Sequence, residues 1–157
     1  MKAPIPVRDD ILALVPHQGA MCLWDEVLGW DDGTIRLLAG NHRDPGHPLR
    51  HHDSLSAVHL CEYGAQAMAV HGGLLARRDA LPARAGMLVA LRGVELAVAR
   101  IDDLDGPLIG EAERLADSPA SQLYTFRILH ADRVIAQGRA TVALGEPRQD
   151  DQEGPRL

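Results

Sequence analysis

The stretch from Leu55 to about Ala76 constrains this chain more than any other. Nearly every position in it is apolar or small, among them Val58, Leu60, Cys61, Ala65, Met68, Val70, Leu74 and Leu75. A helix of that length spans roughly 30 Å. One that is apolar on most sides cannot lie on a surface and must be wrapped by other elements. Ser54 or Ser56 can cap its start, and Gly72-Gly73 weakens its far end ahead of Arg77-Arg78.

The flanking segments supply the wrapping. Alternation from Met21 to Trp30 predicts a strand with Met21, Leu23 and Val27 on one face and Cys22, Trp24, Glu26 and Leu28 on the other. Asp31-Asp32-Gly33 marks a turn, and Ile35 to Ala39 returns as the second arm of a hairpin. After the helix, Met87 to Ile101 reads as a long strand with a bulge or bend at Gly93. Strands at Leu108 to Leu115, Ser121 to His130 and Arg133 to Leu144 follow. Ala136, Gly138 and Ala140 make one face small enough to admit a helix closely. Upstream, Asp9 to Val15 predicts a short capping helix that Pro16 ends. Two strands, one long helix and four strands predict an α+β domain, an antiparallel six-stranded sheet curled around a central helix.

With 157 residues, 46% of them hydrophobic, the chain suits one domain. Residues 1–146 form that domain in this reading. The polar tail 147–157 has one large apolar residue and is expected to be disordered. The uncharged run after Glu62 ends at Leu75, short of the ~20 apolar residues a membrane span needs, and the first ten residues lack a signal-peptide core. The expected location is cytoplasmic, without a membrane partner. A net charge of −6, no basic tract and five aromatic residues argue against nucleic acid as a partner. Cys22 and Cys61 read as reduced core thiols, since there is no CxxC and no secretory context.

Chemistry concentrates just ahead of the helix. His42, His47, His51 and His52 lie in one proline-containing loop, and His59, Glu62 and Gln66 follow as an i, i+3, i+7 stripe that must face something polar. An imidazole suits a base near neutral pH, and a carboxylate in an apolar helix suits an acid because burial raises its pKa. Amide N–H groups from about Leu55 to Val58 could polarise a carbonyl. The histidine spacings match no familiar tetrahedral metal signature. His17 and Gln66 read as structural, His52 as solvated, and His71 as an ordinary helix residue.

Three segments in order carry a family resemblance over about residues 9 to 144. They are Ile11-Leu-Ala-Leu-Val-Pro16-His17, Leu23-Trp-Asp25-Glu-Val27 and Glu62-Tyr-Gly-Ala-Gln66-Ala-Met. Together they resemble the hotdog-fold 3-hydroxyacyl-[acyl-carrier-protein] dehydratases of fatty-acid and polyene synthesis, and in particular a divergent aryl-polyene-cluster subgroup. The resemblance implies a hotdog fold and dehydration of a 3-hydroxyacyl thioester to the trans-2-enoyl product. It also implies no cofactor beyond the phosphopantetheine that carries the substrate. Glu62 corresponds to the family's helical acid. The family's histidine stands fourteen positions earlier, where this chain has Pro48, so His47 is the nearest base, and His42, His51 and His52 remain alternatives. His42, Ala57 and Gln66 are the expected substrate-binding positions, with Ser56-Ala57 replacing the family's proline-glycine at the helix start.

Partners follow from the same resemblance: an acyl carrier protein, and a homodimer or a heterodimer with another hotdog dehydratase. An acidic carrier would need a local basic patch, for which Arg77, Arg78 and Arg84 are candidates. A non-catalytic partner subunit and an acyl thioesterase using Glu62 to activate water are the competing readings.

Overall fold

The computed structural model describes residues 8–14, 19–82 and 84–147. Helix α1 (Arg8–Leu14) leads to strands β1 (Glu26–Trp30) and β2 (Thr34–Ala39), the long helix α2 (Leu60–Arg78), and strands β3 (Arg84–Leu96), β4 (Leu108–Asp117), β5 (Ser121–His130) and β6 (Arg133–Pro147). The strands form one antiparallel sheet in the order β1-β2-β4-β5-β6-β3. This is the hotdog architecture, with α2 held against the sheet. The predicted stop at Pro16, the role of His17 and the disorder of residues 148–157 lie outside the described residues.

Alternation explains the middle of the sheet. Gly110 and Ala112 on β4, Tyr124, Phe126 and Ile128 on β5, and Ala136, Gly138 and Ala140 on β6 face inward and are buried. On β4, Glu111 and Glu113 face outward and carry ladder-spanning contacts such as the Arg127–Glu111 ion pair. Close approach is organised differently from the sequence expectation. A Cβ on helix residue Gly64 would fall 2.6 Å from the Phe126 ring, and one on Gly110 would fall 2.3 Å from Trp24. The helix itself gives way to an aromatic ring on the sheet, while Gly138 makes room for Phe126 and Val94.

Strands β4 and β6 run two and three residues past their expected ends, β6 taking in Pro147 from the expected tail, and two other strands depart further from their expected limits. The first begins at Glu26, and residues 23 and 24 before it are tied to α2: Leu23 N–H donates to the Gln66 side chain (2.9 Å), and the Trp24 indole donates to the Tyr63 main-chain carbonyl (2.8 Å). Cys22, Leu23 and Trp24 are consequently all buried, without alternation. At the other, β3 ends at Leu96 and the chain crosses beneath the start of α2, where Ala57 N–H donates to Ala99 O and Ile101 N–H to Leu55 O, each at 2.9 Å. Gly93 adopts φ +60° where the β3–β6 register slips, as expected of a bulge.

Strand β3 lies at the sheet edge and carries Met87 (68% exposed) and Val89 (54% exposed). Alongside, α2 leaves Cys61, Glu62, Ala65, Ala69 and Gly72 only half-buried. Among the described residues no helix is long and apolar enough to cross a membrane.

Candidate active site

The start of α2 is built in two steps. Residues Ala57–His59 form a 3-10 turn capped by Ser56, whose hydroxyl accepts from Val58 N–H (3.3 Å), and α2 then runs on from Leu60. Asp102 braces this junction from the β3–β4 connection. Its carboxylate accepts from Leu55 N–H at 2.8 Å and pairs with Arg100. The Arg100 guanidinium and the Leu55 amide hold its carboxyl well below the ordinary carboxylate range. Three of the four amides expected to polarise a carbonyl are thus engaged, Leu55 by Asp102, Ala57 by Ala99 and Val58 by Ser56.

Glu62 sits half-buried in the first turn of α2, on its open stripe. One turn later Gln66 is buried and fully engaged. Its Nε2 donates to Glu62 Oε1 (3.0 Å) and to Met21 O (2.8 Å), and its Oε1 accepts from Leu23 N–H. Gln66 therefore fixes both the carboxylate and the segment that covers it. The stripe read from the sequence does meet polar surroundings, made in part by main chain brought in from before β1.

His47 is 5% exposed, and both of its ring nitrogens are occupied. Nδ1 accepts from Leu49 N–H (3.1 Å), so the proton resides on Nε2, which donates to the Tyr63 hydroxyl (3.1 Å). Tyr63 in turn donates to Asn41 Oδ1 (2.7 Å), and Asn41 Nδ2 donates to Leu23 O (3.0 Å). Hydrogen bonds link His47 through Tyr63 and Asn41 to the Leu23 carbonyl, and the Leu23 N–H links in turn to Gln66 and Glu62, so Leu23 main chain joins the two sets. Burial, then the neighbouring His59 and Arg50, push the His47 pKa down from its ordinary value. Burial likewise pushes the Tyr63 phenol upward, so it stays a neutral donor at physiological pH.

His42 is buried nearby. Its Nε2 donates to Leu104 O (2.8 Å), its Nδ1 has no partner among the described residues, and burial lowers its pKa. His51 and His52 are exposed on a tight turn with ring centroids 4.0 Å apart. Among the described residues no three His, Cys, Asp or Glu side chains converge as a metal site would require. Cys22 and Cys61 are free thiols, raised in pKa by burial.

The structure gives two residues more than the sequence assigned them. Asn41 and Tyr63 organise the interior of the site. A buried phenol beside Glu62 must find a partner, which was the available signal for Tyr63, whereas nothing local marked Asn41. His71 also departs from its reading as an ordinary helix residue: it is fully buried, bonded to the Tyr124 hydroxyl (2.6 Å) and to Asp31 O (2.8 Å). In the expected basic patch, Arg78 is taken up by Asp32 and Asp79, and Arg84 donates to Gly145 O, leaving Arg77 exposed.

Comparison with known proteins gives a consistent picture. The model of the ApeP-like family, described as ApeP dehydratase, matches residues 9–153. No curated protein sequence matches the chain. Among solved structures, the dehydratase heterocomplex ApeI:P from Xenorhabdus doucetiae superposes with a TM-score of 0.79 at 21% identity, covering 87% of this chain and 91% of that one. AziG from S. sahachiroi gives 0.56 at 13% identity over 75% and 88% of the two chains. A hypothetical thioesterase from Streptococcus pneumoniae with coenzyme A gives 0.57 at 13% identity over 79% and 88%.

Proposed function

Because the chain belongs to the ApeP-like dehydratase family, we propose that it dehydrates a 3-hydroxyacyl thioester, carried on the phosphopantetheine of an acyl carrier protein, to the trans-2-enoyl thioester. The setting is fatty-acid or aryl-polyene synthesis. The observation that supports this most directly is Glu62: a half-buried carboxyl oriented by a buried glutamine, on a half-buried stripe of α2. Such a group can deliver a proton to the departing C3 hydroxyl while a histidine removes a proton from C2. Acid/base chemistry suffices for the step.

His47 occupies the loop position nearest the family's base. In its present tautomer the Nδ1 lone pair is taken by Leu49 N–H, so it would have to release Leu49 before accepting a proton. Ala57 contributes to the apolar floor beneath the helix start, and His42 and Gln66 to its polar lining.

The free edge of β3 is the expected seat of a second hotdog subunit, a copy or a different dehydratase. A long apolar edge strand left uncovered is a template for pairing, and the solved ApeI:P neighbour is itself described as a heterocomplex.

The test is turnover of 3-hydroxyacyl carrier-protein substrates, alone and with a second hotdog subunit co-expressed. Glu62→Gln should reduce enoyl formation by about a hundredfold or more, the usual worth of a positioned acid. Full turnover by that variant would refute the role given to Glu62. A thioesterase is the second reading, since thioesterases share the fold, and release of free thiol without enoyl product would favour it.

A further inference from the structure

We propose that His59 is the base that removes the C2 proton, acting beside Glu62 from the same face of the helix start. The inference rests on the dehydratase reading above and assigns the one reacting group that reading leaves unplaced.

Three observations converge on His59. The first is position. It stands three residues before Glu62 across the junction of the 3-10 turn and α2, a spacing that sets two side chains about 5–6 Å apart on one face. The bonds that change in dehydration lie on adjacent carbons, so base and acid must reach the substrate from within a few ångströms of each other. The second is access. His59 is half-buried, and its ring nitrogens make no hydrogen bond within the described residues. The third is proximity to the polar network: His59 is one of the charged groups whose field reaches the buried His47 ring.

The other described histidines lack this combination. His47 has both nitrogens engaged, His71 is committed to Tyr124 and Asp31, and His42 is 1% exposed. His51 and His52 lie on an exposed turn, and His130 is bonded to the Asp105 carbonyl.

In the proposed step the His59 imidazole takes the proton from C2. The electrons of that C–H bond pass into the thioester as an enolate, which His59 can return to substrate with a solvent-exchanged proton. Forward collapse of the enolate forms the C2–C3 double bond as the C3–O bond breaks, and the protonated Glu62 carboxyl gives its proton to the departing oxygen, releasing water. The imidazolium and carboxylate left behind are neutralised by proton exchange through solvent, restoring both groups. His47, Tyr63 and Asn41 are positioning residues in this scheme.

Proton exchange at C2 needs the base and not the acid, so it separates the two roles. The 3-hydroxyacyl carrier-protein substrate is incubated in D2O with the full chain, alone and with a second hotdog subunit. Deuterium at C2 and enoyl product are both measured. His59→Gln should lose both signals by about a hundredfold or more, with its unfolding midpoint unchanged. Glu62→Gln should lose enoyl product and retain exchange. His47→Gln should lower the unfolding midpoint and retain exchange while folded. Retention of both signals by His59→Gln, or their loss in folded His47→Gln, would overturn the assignment. If the unaltered chain gives neither signal under either condition, the dehydratase reading fails and this assignment falls with it.

Discussion

Lowering the pH from 7.5 to 5.5 should destabilise this fold sharply, because three histidines are held neutral in its interior. His42, His47 and His71 are each at most 5% exposed, and burial lowers the pKa of all three. In the unfolded chain they titrate near the ordinary value of ~6.5. Between that value and the depressed folded ones, the unfolded state binds more protons, so stability is full above about pH 6.5 and falls as pH drops below it. A site that stays neutral throughout loses about 1.4 kcal/mol between pH 7.5 and 5.5, and three together at most about 4 kcal/mol. A folded domain has roughly 5–15 kcal/mol to lose. Carboxylates add little in this window, since Asp102 and its unfolded counterpart both titrate lower. Urea unfolding at the two pH values measures the difference, and His71→Asn should flatten the slope by about a third even as it lowers the midpoint. A midpoint unchanged or raised at pH 5.5 would refute the reasoning, because these rings would then be taking up protons without cost.

Other perturbations test the packing and the site separately. Gly64→Ala drives a methyl into the Phe126 ring and should cost about 1–3 kcal/mol in urea unfolding, with much of the loss recovered by Phe126→Leu. Gln66→Leu leaves the buried Leu23 N–H without an acceptor. It should cost about 1–3 kcal/mol and reduce enoyl formation in a way that Gln66→Glu only partly restores. His52 and Asp53 both have positive φ, +48° and +59°, in a two-residue turn closed by hydrogen bonds between His51 and Ser54. Replacing them with Asn-Gly, which favours that conformation, should raise the thermal midpoint by the equivalent of about 1 kcal/mol and leave turnover intact. Val89→Lys on the open edge of β3 should weaken subunit association in sedimentation while leaving the monomer folded.

Much of the fold was legible because its constraints are periodic and local. The long apolar run gave α2, and the strand-like runs at Leu108 to Leu115 and Ser121 to His130 became β4 and β5. The turn residues and Gly93 were similarly readable. The segment before Glu26 was not, since its burial depends on Gln66 and Tyr63, about forty residues away in sequence. For the same reason the sequence could list its histidines but not rank them: an imidazole that is locked, sealed or exposed has the same letter.

The sequence by itself determined that one apolar helix would be wrapped by six antiparallel strands, and that a carboxylate on its polar stripe would adjoin a histidine-rich loop. Period and composition carry that information directly. Only the tertiary structure decided that Gln66 holds Glu62 and that Asn41 and Tyr63 engage His47. Hydrogen-bond partners are chosen by distance in space, and the folded chain brings main chain from before β1 onto the start of α2, where no local pattern announces it.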